Sequence, residues 1–166
     1  MKPFKNSRKD NFISTIPTAS INADDDLLTM KCKFNFAYFD VQTAGQSFEQ
    51  WTDLQRLELV AKLKEYSKET LQYWRNMPIG KGGGTVLSIY GAFPLTSKFS
   101  HPKHVPHEVC WGRFRLDFSG RLIGFVLPQN CDGEQHPGTK KRFDCNTFYI
   151  VFLDANHEFY IGKEVK

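Results

Sequence analysis

VCWGRFRLDFSGRLIGFVL, residues Val109 to Leu127, decides how the chain reads. Two apolar runs flank the pair Ser119–Gly120, the length and residue type of a two-residue hairpin turn. Side chains alternate along a strand. Cys110, Phe114, Leu116 and Phe118 therefore share one face of the first strand, and Val109, Trp111, Arg113 and Arg115 share the other. With a two-residue turn, Leu122, Gly124 and Val126 of the second strand fall on the arginine face.

Downstream, TFYIVFL (Thr147 to Leu153) is apolar at every position, which predicts a central strand covered on both faces. Asp154 to His157 reads as a turn and EFYIG as a short final strand. Upstream, KCKFNFAYFD alternates from Lys31, with Cys32, Phe34, Phe36 and Tyr38 on one face. TVLSIYGAF (Thr85 to Phe93) predicts a further strand. Between these lies a helix. Ser47 with Gln50 and Thr52 with Gln55 each fit a capping box, so its start is open by about a turn. Leu57, Val60, Ala61, Leu71 and Trp74 fall in one stripe at helical spacing, and Pro78 ends it. The expected fold is α+β: an antiparallel sheet of about four to six strands packed by one long helix. Residues 1–30, polar and aperiodic, are expected to be a flexible tail, and residues 31–166 a single domain.

A length of 166 residues, with 40% apolar and 14% aromatic side chains, suits a folded domain with its own core. The net charge of +4 is spread along the chain: residues 1–30 hold four basic and four acidic side chains, residues 31–100 nine and six, residues 101–166 nine and eight. Charge by itself is therefore weak support for a nucleic-acid partner. No run of about 18 apolar residues is present, so no membrane partner is expected. MKPFKNSRKDNF lacks the apolar segment of a secretory signal. Cys32, Cys110, Cys131 and Cys145 have no CxxC spacing, which predicts free thiols and a cytoplasmic setting.

Three groups of residues invite chemistry. Arg113 and Arg115 point the same way beside Trp111, a pattern suited to phosphates and a stacked base; the alternative is a solvated outer face with Asp117 pairing one arginine. His157, Glu158 and Tyr160 follow the apolar strand and read either as a proton-transfer corner or as a plain turn. His101, His104 and His107 recur every third residue in a proline-spaced stretch. In an extended conformation they lie about 9 Å apart along one edge, too far to share a zinc ion without bending. The polar stretch from Pro128 to Asn146 carries the basic run Lys140, Lys141 and Arg142. A loop that long is functional or disordered. GKGGG (Gly80 to Gly84) has neither the spacing nor the strand-to-helix setting of a phosphate loop and reads as a connector. No cofactor is expected.

The order of long helix, strand, WGRFRL, RLIGFV, apolar strand and NHEFY resembles the RelE/ParE-like toxins over about residues 109–162, and more loosely over the helix. The resemblance implies a ribonuclease in which Arg113 and Arg115, with Arg121, stabilise the scissile phosphate while His157 or Tyr160 moves protons. In-line attack by the ribose 2′-hydroxyl then needs no metal. It also implies RNA or the ribosome as target and a cognate antitoxin as partner. The chain departs from the family in its length, its N-terminal tail, its early strand and its long 128–146 loop. As a whole it also resembles proteins of unassigned activity carried by bacterial genomes and mobile elements. The expected function is accordingly RNA binding, with endoribonuclease toxin activity. The alternative is a non-enzymatic accessory protein that docks a protein partner.

Overall fold

The apolar run at its C-terminal end forms the strand around which the sheet is assembled. The computed structural model describes residues 6–16, 21, 28–80, 84–116 and 120–161. It divides into two compact units, Met1–Met30 and Lys31–Lys166. The first carries a helix, α1 (Ser7–Ser14). Asn6 caps it by accepting the Lys9 N–H at 3.2 Å, and none of its residues is buried. The acidic run Asp24 to Asp26 lies outside the described residues.

The second unit holds β1 (Lys33–Asn35), α2 (Asp53–Tyr66), α3 (Leu71–Asn76), β2 (Leu87–Gly91), β3 (Cys110–Arg115), β4 (Arg121–Val126) and β5 (Thr147–Asp154). The strands form one sheet in the order β1-β5-β4-β3-β2. Three of its pairings are antiparallel, but β1 runs parallel to β5, so the sheet is mixed and not antiparallel as expected. β1 and β5 lie at opposite ends of the unit's sequence, and no tight turn dictates their relative direction. Lys33 helps to hold the register through an ion pair to Asp144 at 2.6 Å.

The expected single helix is two. Both capping boxes form: Ser47 opens a short 3-10 turn (Phe48–Gln50), and Thr52 opens α2. The chain leaves helical geometry after Tyr66 and re-enters at Leu71, capped by the Thr70 hydroxyl. This break changes the buried stripe. Leu59 and Tyr66 of α2 face inward with Leu71 and Trp74 of α3, while Leu57 and Val60 are 69% and 64% exposed. The break also frees a carbonyl that a continuous helix would use. Tyr66 O accepts the Trp74 indole N–H at 2.7 Å and the Cys32 thiol at 3.1 Å, which satisfies a helix-end acceptor inside the core. Burial there pushes the Cys32 pKa up to about 12.

Apolar clusters cover the sheet on both faces. On one, Leu59, Tyr66, Leu71 and Trp74 join Phe114, Leu122 and Phe148, and the Tyr66 ring stacks on Phe114 at 4.7 Å. On the other, Phe99, Val105 and Phe159 join Trp111, Phe125 and Phe152. The early strand is shorter than its alternating pattern predicts. The chain turns after Asn35, so that Phe34 joins the first cluster and Tyr38 the second. The expected EFYIG strand is likewise absent among the described residues, where Glu158 to Ile161 form irregular turns; Gly162 lies outside them.

Gly112 and Gly124 sit opposite each other on β3 and β4. A Cβ at Gly124 would lie 2.1 Å from Tyr149 O and 2.7 Å from the Phe148 ring. The close approach of β5 at this bulged register needs a residue without a side chain. Gly124→Ala is therefore expected to cost at least about 2 kcal/mol, since both obstacles belong to β5, an interior strand covered on both faces. Urea denaturation measures it; unchanged stability would mean that β5 has room to shift.

Candidate functional site

Strand register decides which arginines meet. β3 and β4 pair with Arg115 opposite Arg121, which leaves five residues, 116–120, in the connection where two were expected. The turn residue Ser119 lies outside the described residues. The change in connection length reverses the face assignment of β4. Leu122 and Val126 turn to the helix side with Phe114, and Arg121 joins Arg113 and Arg115 on the other. Arg121 is opposite Asp154 on β5, and Arg113 is opposite Ser88 on β2.

A bulge in β2 completes the corner. Ile89 pairs with Gly112 and Gly91 with Trp111, so Tyr90 is the extra residue. Its ring lies beneath the Arg113 guanidinium, 5.9 Å from centroid to Cζ, and stacks on Tyr160 at 4.5 Å with the planes 3° apart. The Tyr90 hydroxyl is buried with no hydrogen-bond partner among the described residues. Burial raises its pKa, and the positive charges of Arg113 and Arg121 oppose the rise. Tyr160 forms the outer layer and is 50% exposed.

The segment bearing Tyr160 is held by Asp154. Its Oδ1 accepts the N–H groups of Asn156 and Glu158 at 3.2 and 3.0 Å, and its Oδ2 accepts that of Phe159 at 3.0 Å. Lys98 pairs with Glu158 at 2.7 Å, and the Thr96 hydroxyl donates to Ile161 O at 2.9 Å. Two of the three guanidiniums are accessible. Arg115 is exposed, Arg113 is half-buried and Arg121 is buried. The Arg121 pKa is lowered, first by burial and then by Arg113 and Arg115, with Asp154 and Tyr90 acting against the shift. Like charges on directly opposed strand positions repel. Asp154, the carboxylate among the described residues that acts on Arg121, also accepts three backbone N–H groups. Among the described residues, no ion pair neutralises Arg113 or Arg115; Asp117, the alternative partner for one of them, lies outside the described residues. The corner is thus a concentration of positive charge beside an exposed aromatic face, a setting that attracts a phosphate next to a planar group.

Of the residues expected at a site, Arg113, Arg115, Arg121 and Tyr160 come together. His157 lies at the exposed crest of the Asp154 turn, with a left-handed backbone (φ 61°). Trp111 offers no base a surface. It is 1% exposed and packed among Phe93, His101 and Phe159 in the second core, because the arginine face is roofed at that end. Lys140, Lys141 and Arg142 are exposed on a loop closed by the Gln135–Arg142 bridge. That loop leaves the sheet after Val126 and rejoins it at Thr147, the ends of β4 and β5 opposite the corner. At roughly 3.4 Å per residue, the length of β4 alone puts about 17 Å between them. Tyr90 and Asp154 are additions that sequence reasoning missed. A glycine inside an apolar strand, Gly91, is the signal that marks the β2 bulge.

The histidines do not line one edge. The rings of His101 and His107 stack at 4.2 Å, while His104 stacks on Tyr38. Among the described residues, no three His, Cys, Asp or Glu side chains are grouped to hold a metal ion, and no helix is long and apolar enough to cross a membrane. Comparison of the chain with family models, curated proteins and solved structures found no match.

The Asp154 geometry has a stability consequence. Asp154→Ala strips three backbone N–H groups of their acceptor and removes the counter-charge to Arg121. It is expected to cost about 3 kcal/mol or more, and Asp154→Asn less, because one acceptor oxygen remains. Equilibrium urea unfolding would reveal it, and wild-type stability of the alanine variant would contradict the role.

Proposed function

We propose that the protein binds single-stranded RNA at the corner formed by Arg113, Arg115, Arg121, Tyr90 and Tyr160, and cleaves it there as an endoribonuclease similar in chemistry to the RelE/ParE-like toxins. The gathering of three guanidiniums from two strands carries this assignment. A folded protein bears the cost of like-charge repulsion more readily where an anion relieves it. A phosphodiester supplies that anion, and Tyr160 supplies a ring face for the adjoining base. In the cleavage step the ribose 2′-oxygen attacks phosphorus and the bond to the 5′-oxygen breaks, leaving a 2′,3′-cyclic phosphate. The 2′-hydroxyl proton goes to a base, and a proton reaches the departing 5′-oxygen. Tyr160, stacked on the Tyr90 ring beneath Arg113, and His157 on the same turn are assigned these roles. The arginines stabilise the charge that builds on the non-bridging oxygens.

Incubating full-length protein with 5′-labelled single-stranded RNA in chelator tests both parts. The expected outcome is binding that weakens steeply with salt, and fragments ending in cyclic phosphate. Arg113→Ala/Arg115→Ala should lower both by at least about tenfold without unfolding the chain. Intact, unbound RNA with folded wild-type protein would sink the assignment.

A second reading, docking of a protein partner such as an antitoxin or a mobile-element factor, has its own support. Leu54, Leu57 and Val60 form an exposed apolar row on α2, at 65%, 69% and 64% exposure. Such docking is compatible with an RNA site on the opposite face of the sheet.

A further inference from the structure

We propose that Cys131 and Cys145 form a reversible disulfide that ties off the base of the 128–146 loop. All four cysteines are free thiols in the structure. These two are distant in sequence, yet one backbone oxygen touches both. Pro128 O accepts the Cys131 N–H at 2.9 Å and the Cys145 thiol at 3.2 Å. The Cys145 sulfur is therefore no farther from the Cys131 nitrogen than those two bonds laid end to end. Bridged cysteines have Cα atoms about 5.5–6 Å apart, a separation of the same order.

The residues around the pair hold the two segments together without help from the thiols. Asp132, next to Cys131, accepts the Cys145 N–H at 2.9 Å. Gly133, with a left-handed backbone (φ 73°), donates to Phe143 O at 3.0 Å, and Glu134 O accepts the Phe143 N–H at 2.8 Å. Three successive residues after Cys131 thus grip the segment just before and at Cys145. The exposed run Lys140, Lys141 and Arg142 lies within the ring that the bond would close.

The two thiols differ in access. Cys131 is half-buried and Cys145 is buried. Burial pushes the Cys145 pKa up to about 11, and the neighbouring Asp132 and Cys131 add to the rise. Cys131 is thus the point of entry and Cys145 the resolving thiol. A small-molecule disulfide such as oxidised glutathione is the oxidant. The Cys131 thiolate attacks one of its sulfurs, its S–S bond breaks, and one glutathione leaves and takes up a proton. Cys145, having lost its proton to solvent, attacks the Cys131 sulfur and releases the second glutathione. Two protein thiols are oxidised and one small disulfide is reduced to two thiols. Reversal is slow: a reductant at the accessible Cys131 sulfur must expel the Cys145 thiolate, and a thiol of high pKa is a poor leaving group.

The experiment incubates full-length protein with oxidised glutathione at pH 8.5, then alkylates free thiols and maps the peptides by mass spectrometry. The expected product joins Cys131 to Cys145 and is reverted by dithiothreitol, while Cys32, whose thiol is spent on Tyr66 O in the core, stays reduced. The melting temperature then rises by roughly 5 °C or more, because a loop of about 15 residues is closed in the unfolded chain. Cys131→Ser should lose the bond and the rise together. If that variant fails to fold, the wild-type map and melt decide alone. Glutathione retained on Cys131 with Cys145 still alkylated, a bond made through Cys110, or no reaction at either thiol overturns the proposal. So does a mapped bond that leaves the melting temperature unchanged or lowers it, since thiols already in place need no distortion to join.

Discussion

β4 and β5 are buried on both faces, and this double burial constrains everything around them. Every side chain of β4 is out of solvent, the arginine at its start included, and so is every one of β5 except the half-buried Tyr149. Strands so placed can leave no backbone group without a partner, because water is not there to replace it. Each therefore needs a neighbour on both sides. β1 supplies the outer neighbour of β5, and β3 that of β4. Two apolar layers must also exist. One comes from α2 and α3, the other from the irregular stretch around Phe99 and Val105 together with Phe159. The close packing that results explains why glycine is required where β5 comes nearest to β4.

The arginine corner exists because this burial stops at the strand ends. Farther along the same face, Trp111 and Ile123 sit under the second apolar layer, while Arg113, Arg115 and Arg121 lie where the layer thins toward the β3–β4 connection. Arg121 is the costly member, since burial and two like charges act together against its protonated form. Asp154 partly offsets that cost while organising the turn that carries His157 and Tyr160. One carboxylate thus connects the charge balance of the corner to the position of its aromatic rim. Tyr90 adds a second link. It is re-aimed by a bulge and lies between Arg113 and Tyr160.

Sequence determined the local properties of this chain. Alternation placed Arg113 and Arg115 on one face, since period two needs no knowledge of neighbours. The unbroken apolar run marked β5 as interior, and both capping boxes formed as spaced. Those outcomes depend on residues a few positions apart. Tertiary structure decided whatever depended on partners distant in the chain. α2 is apolar on two sides, and only packing chose Leu59 and Tyr66 over Leu57 and Val60. The direction of β1 had no local cause, because its partner lies more than a hundred residues away. Arg121 joined the other arginines because the connection spans five residues instead of two, and an odd change of register turns every side chain of β4 to the opposite face. Trp111 left the candidate site for the same kind of reason: an irregular segment whose apolar residues follow neither a helical nor a strand period folds over it. A strand's two faces are equivalent until something covers one of them, and what covers them here comes from elsewhere in the chain.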